Sequence, residues 1–194
     1  MKYLTILTAL VFSIPLLNSC GSDPCETVEC VNGDCNNEGK CDCDAGWTGP
    51  LCADEAVPYS INVSKMVIEK FSPMDGSKEW DDEDDGSKGD ITMRVYDITN
   101  KYFEPTDLVN QMHENADGSM ALEIPCNFKL RDMESDVTFE VVDYDFDDNF
   151  NVIFEFISSV STKFNGLYKN FPETITLVSG TKRTKLTLHV TYTY

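Results

Sequence analysis

The order of apolar and polar residues divides the chain into three stretches. Between Leu4 and Leu17 the residues are mostly apolar, with Pro15 inside the run and Lys2 ahead of it. So short a run does not span a bilayer comfortably as a helix, and its positive start predicts an export signal over residues 1–19. From Cys25 to Cys52 neither a period of two nor a helical period is visible, and cysteines set the spacing instead. From Tyr59 onward apolar residues recur at alternate positions in short runs separated by polar turns, which predicts strands. The runs lie near Ile61–Phe71, Ile91–Tyr96, Leu108–Met112, Met120–Leu130, Val137–Asp143, Val152–Ser158, Thr174–Val178 and Lys185–Tyr194. Pro125 falls inside the fourth run, and a residue without an N–H predicts a bulge or an edge strand there. The last run alternates throughout, so Leu186, Leu188, Val190 and Tyr192 are expected on one face. Eight short strands without an amphipathic helix predict a mainly β fold, an antiparallel β-sandwich over residues 59–194. Within it, Cys126 and Trp80 read as packing residues rather than chemical ones.

Composition narrows the partners. The chain of 194 residues has 34 Asp and Glu against 15 Lys and Arg, a formal net charge of −19. Binding to a nucleic-acid backbone needs a basic footprint, so no nucleic-acid partner is expected. Simple attraction to anionic lipid is disfavoured for the same reason. Divalent cations suit such a surface.

The six cysteines of the middle stretch run Cys25-x4-Cys30-x4-Cys35-x5-Cys41-x-Cys43-x8-Cys52, with Gly46-Trp47-Thr48-Gly49 inside the last gap. A segment this small cannot bury enough apolar surface to fold unaided, so covalent or metal cross-links must hold it. Six cysteines allow about fifteen disulfide pairings. Zinc thiolate ligation competes with them, but no Cys-x2-Cys pair occurs and no histidine is near. The single-residue gap before the fifth cysteine and the Gly-aromatic-x-Gly turn resemble an EGF-like module over residues 25–52. The resemblance implies the pairs Cys25–Cys35, Cys30–Cys41 and Cys43–Cys52. Calcium-binding members carry an Asp-x-Asp-Glu-type run before the first cysteine, and Gly21-Ser22-Asp23-Pro24 does not match it. The module is therefore expected to be a spacer or a protein-contact surface, joined to the sandwich by a linker over residues 53–58.

Leu17-Asn18-Ser19-Cys20 resembles a bacterial lipobox, which implies cleavage before Cys20 and lipid on its sulfur. Residues 20–24 would then be a lipidated tether. Two or three acyl chains anchor a protein stably where one does not. Gly21, rather than aspartate, follows Cys20, so outer-membrane sorting is expected in a Gram-negative host.

Two acidic runs sit at predicted strand ends. One is Asp75-Gly76-Ser77-Lys78-Glu79-Trp80-Asp81-Asp82-Glu83-Asp84-Asp85, leading to Asp90; the other is Asp143-Tyr144-Asp145-Phe146-Asp147-Asp148-Asn149-Phe150-Asn151. Carboxylates this dense repel one another, and a cation held by several oxygens relieves the repulsion. Asp90-Ile91-Thr92-Met93-Arg94-Val95 and Asp143-Tyr144-Asp145, with the final alternating strand, resemble a C-two domain, a calcium- and lipid-binding sandwich. The resemblance implies Ca2+ ligands at Asp90, Asp143 and Asp145, helped by Asp75 or Asp81 and by Asp148 or Asn151.

No enzyme is expected. The chain has two histidines, His113 and His189, and no Gly-x-Ser-x-Gly elbow, His-Glu-x-x-His or phosphate-binding glycine loop. The sequence thus predicts an envelope-anchored lipoprotein that binds a protein or glycan outside the cytoplasm. The alternative is an accessory subunit of an outer-membrane complex, using the EGF-like module as its contact.

Overall fold

A computed structural model of the chain describes residues 23–72, 74–75, 78–79, 89–106, 111–114, 116, 118–146, 152–180 and 184–194. The export signal, the lipobox, Cys20, Trp80, Asp81 and Asp148 lie outside the described residues, as do the side chain of Asp75 and most of Leu108–Met112.

The small module is built from four short strands, β1 (Gly33–Cys35), β2 (Cys41–Cys43), β3 (Trp47–Thr48) and β4 (Asp54–Glu55). The larger unit follows with β5 (Ser60–Lys70), the paired β6 (Met74–Asp75) and β7 (Lys78–Glu79), then β8 (Ile91–Tyr96) and β9 (Lys101–Phe103). It ends with β10 (Leu122–Leu130), β11 (Val137–Phe146), β12 (Val152–Thr162), β13 (Thr174–Val178) and β14 (Lys185–Thr193). Antiparallel pairing arranges these into two four-stranded sheets, ordered β10-β5-β14-β13 and β12-β11-β8-β9.

Alternation explains how the sheets face each other. Leu186 and Leu188 are fully buried and Val190 nearly so, beside Ile61, Val63, Met66 and Ile68 of β5. The second sheet contributes Ile91, Met93 and Val95 from β8 and Val137, Phe139 and Val141 from β11. Each such side chain removed from water stabilises the fold by about 1.5–3 kcal/mol. Phe164, between β12 and β13, closes one end of the core against Phe139, with centroids 6.1 Å apart. Pro125 lies on edge strand β10, where the register shifts between Pro125 and Phe128, the bulge that a missing N–H produces.

One strand forms where the alternation predicts none. The strand after β8 is Lys101–Phe103, while Gln111 and Met112 are not in strand and His113 makes an isolated bridge to Ile91. The cause is a tight turn. Asp97 accepts the backbone N–H groups of Thr99 and Asn100, both at 2.6 Å, and the Tyr102 hydroxyl at 2.7 Å. An aspartate that closes its own turn in this way reverses the chain at once.

Candidate functional site

The module is held by three bridges, Cys25–Cys35, Cys30–Cys41 and Cys43–Cys52, with no zinc-type cluster among the described residues. This is the pairing that the EGF-like resemblance implies. The first two bridges bracket the β1–β2 ribbon, whose turn is fastened by Asn36: its side-chain oxygen accepts the N–H groups of Glu38 and Lys40. The third bridge closes the loop that carries Trp47. Asp54 and Glu55, in the expected linker, pair with Trp47 and Thr48 and so extend the module toward the sandwich.

Residues 25–52 match the family model for an EGF-like domain.

The match covers the EGF-like module alone, and the comparison with curated proteins finds no match to the chain. An EGF-like domain points to a binding or adhesion role, and three disulfides point to an oxidising, extracytoplasmic setting. No helix among the described residues is long and apolar enough to cross a membrane.

The EGF-like module does not hang from a free linker. The Trp47 ring meets Phe171 edge-on, with centroids 5.5 Å apart. Phe171 in turn meets Tyr192 at 6.3 Å and Tyr194 at 5.9 Å, both rings of the last strand and tail. Gly46 has φ +92°, and a Cβ there would lie 2.9 Å from the Phe171 ring and 3.3 Å from Tyr194. Only glycine allows so close an approach in that conformation. Polar contacts fix the same joint. The Asn170 N–H donates to Glu55 at 3.1 Å, Ala56 N–H to the Gly46 carbonyl at 2.8 Å, and Tyr59 N–H to the Thr193 carbonyl at 2.7 Å. Asn170 and Phe171 both have positive φ, 61° and 46°. A bulky residue there costs on the order of 1–3 kcal/mol, which surrounding packing must offset. Burial pushes the Tyr192 phenol up to about 12, and its hydroxyl donates to the Pro172 carbonyl at 2.8 Å. Tyr194 is shifted upward by burial and then by the nearby Glu55 carboxylate; its buried hydroxyl has no partner among the described residues.

The second candidate site is the acidic end of the sandwich. Register pairs Asp143 of β11 with Ile91 on one side and Glu155 on the other. Asp143 is fully buried. Its Oδ1 accepts the N–H of Asp90 at 2.6 Å and its own neighbour's, Tyr144, at 3.1 Å. Its Oδ2 is buried with no hydrogen-bond partner among the described residues. Burial, then the charges of Asp145 and Asp90, push this carboxyl up to about 6, against the pull of the two N–H donors. The structure therefore brings Asp90, Asp143 and Asp145 to one end of the sheet. It does not close three His, Cys, Asp or Glu side chains around one point among the described residues.

Sequence reasoning missed a polar cluster on the outer face of the second sheet. Arg94 pairs with Glu140 at 2.6 Å and lies over the Phe154 ring at 4.7 Å, and the Tyr96 hydroxyl donates to Glu140. Arg94 and Glu140 sit opposite each other on neighbouring strands, a cross-strand pair readable only once the register is known. His113 and His189 stand apart in role: His113 Nε2 meets the Glu123 carbonyl at 2.8 Å, and His189 sits within β14 opposite Lys65.

Proposed function

We propose that the chain is an envelope-anchored, non-enzymatic binding or adhesion protein in which lipid on Cys20 holds a stiff, two-part stalk and head. The observation that carries this reading is the joint at Phe171, which ties the EGF-like module to the sandwich through Trp47, Gly46 and Tyr194. Beside a lipidated Cys20, such a module is a rigid spacer that sets the sandwich at a fixed distance and orientation from the membrane. The ligand is a protein or a glycan outside the cytoplasm. The lipobox-like Leu17-Asn18-Ser19-Cys20 and the EGF-like match support the anchor and the compartment.

Calcium tunes the far loops in this reading, as a C-two-like sandwich would. The fit to a cation is partial. Asp143 supplies a buried carboxylate oxygen without a hydrogen-bond partner among the described residues, and Asp145 and Asp90 add charge beside it. The remaining oxygens would come from Asp148 or Asn151 and from Asp75 or Asp81. A bound calcium ion would offset the mutual repulsion of these carboxylates.

Fractionation tests the anchor. Cys20→Ser should release the chain into the soluble fraction and abolish fatty-acid labelling. A variant still membrane-bound and labelled would overturn the anchor while leaving the joint untouched.

A further inference from the structure

Four strands form the edges of the two sheets: β10, β13, β12 and β9. Three are blunted in ways that prevent pairing with another chain. Strand β9 has three residues and β13 five, and β10 carries Pro125, a bulge and the charged Glu123 and Lys129. Strand β12 has eleven residues, no proline and one charge, Glu155. Its first half, Val152-Ile153-Phe154-Glu155-Phe156-Ile157, is dense in strand-forming apolar residues. Val152, Ile153 and Phe156 are exposed, Phe156 by 55%. Every second residue of an edge strand turns its N–H and C=O away from the sheet. Beyond this half, the hydroxyl of Thr184, just ahead of β14, donates to Ser158. Among the described residues, the open edge is thus the stretch from Val152 to Ile157.

We infer that this edge is a docking site for an extended, cationic segment of another protein, which adds to the sheet as a further strand beside β12. Backbone hydrogen bonds would supply affinity and alternate side-chain contacts selectivity. Charge decides the occupant. Glu155 is exposed in the middle of the edge, and Asp145 of the neighbouring β11 pairs with Ile153 at its start. A second copy would bring a second net charge of −19 to the same seam. Side chains alternate along β12, so Phe154 and Phe156 share one face and Ile153 and Glu155 the other. A segment alternating aliphatic residues with Lys or Arg places its apolar side chains beside Phe154 and Phe156 and its charges beside Glu155. The inference needs neither the anchor nor calcium.

The test titrates the full chain, in chelator, with three synthetic peptides. One alternates Val and Lys, one alternates Val and Glu, and one has the same lysines separated by Gly and Pro. Hydrogen exchange of the β12 amides is read alongside affinity. The Val-Lys peptide should bind at least about tenfold more tightly than either control and slow exchange from Ile153 to Ile157. Phe156→Lys and Glu155→Lys, each on a folded chain, should each remove most of that difference. Equal binding by the two lysine peptides, or no protection of β12, would overturn the site. A dimer that Phe156→Lys dissolves would assign the edge to a second copy instead, and would equally overturn it.

Discussion

Phe171 stands edge-on to Trp47, their planes 85° apart, at the centre of the joint between a disulfide-held module and a sandwich with a core of its own. The Phe171 backbone occupies the left-handed region to place the ring there. Packing against three aromatic partners offsets that strain, and each such ring pair contributes about 0.5–1.5 kcal/mol. Phe171→Ala should therefore cost about 2 kcal/mol. Amides of the EGF-like module should exchange faster while the sandwich amides keep their rates, and Phe171→Tyr should hold both. Unchanged exchange in the alanine variant would mean that the joint does not depend on this ring.

Gly46 tests the same joint from the other side. Gly46→Ala places a methyl against the Phe171 and Tyr194 rings at a φ that alanine rarely adopts. A loss of about 1 kcal/mol or more is expected, a fall of roughly 2–4 °C in Tm. Gly180→Ala is the control, since a Cβ there meets nothing within 4 Å. Equal effects from the two substitutions would contradict the close approach.

Much of this was legible in the sequence and some was not. Local period carried the strands: Ile91–Tyr96 and Thr174–Val178 form where alternation predicts them, because burying one face of a pleat needs only residues two apart. The six cysteines carried the module. The joint was hidden, since Trp47 and Phe171 are remote in sequence and nothing local marks Phe171 for a positive φ. Strand β9 was hidden by its length, although Asp97-Ile98-Thr99-Asn100 is a readable turn. Asp143 was legible as an acid at a strand end but not as a buried one. Alternation puts it on the inner face only once the β11 register is known.

Asp97 gives a pH prediction. The Asn100 side chain first, then the Tyr102 hydroxyl and the Thr99 N–H, hold its carboxyl well below the usual range. A carboxylate whose folded pKa is lowered stabilises the fold above its unfolded value of about 3.9, and that stability disappears as pH falls through and below it. The Tm gap between wild type and Asp97→Asn should be wide at neutral pH and narrow toward pH 3. A gap that does not change with pH would mean that the turn depends on shape rather than charge.

Calcium should raise the Tm of the wild-type chain more than magnesium does, because calcium accepts a looser oxygen geometry where magnesium demands a near-ideal octahedron. At roughly ten times its Kd the gain is about 1.4 kcal/mol per site by mass action. Asp143→Asn with Asp145→Asn should abolish that selective gain. Equal small shifts with both cations, kept in the double variant, would reduce the effect to screening of an acidic surface.

Opening Cys43–Cys52 by Cys43→Ser removes the bridge that closes the Trp47 loop. Loss of a native disulfide from so small a unit costs about 2–5 kcal/mol. The EGF-like module should lose exchange protection at a temperature where β5 and β14 keep theirs. Simultaneous loss in both would show that the sandwich cannot stand without the module.

Residual dipolar couplings, measured for amides of the EGF-like module and of the sandwich in one aligned sample, test the fixed two-part unit most directly. If the Trp47–Phe171 joint holds, a single alignment tensor fits both sets. Two tensors of different magnitude would mean that the module swings on a flexible linker, and the stiff anchored stalk would be wrong.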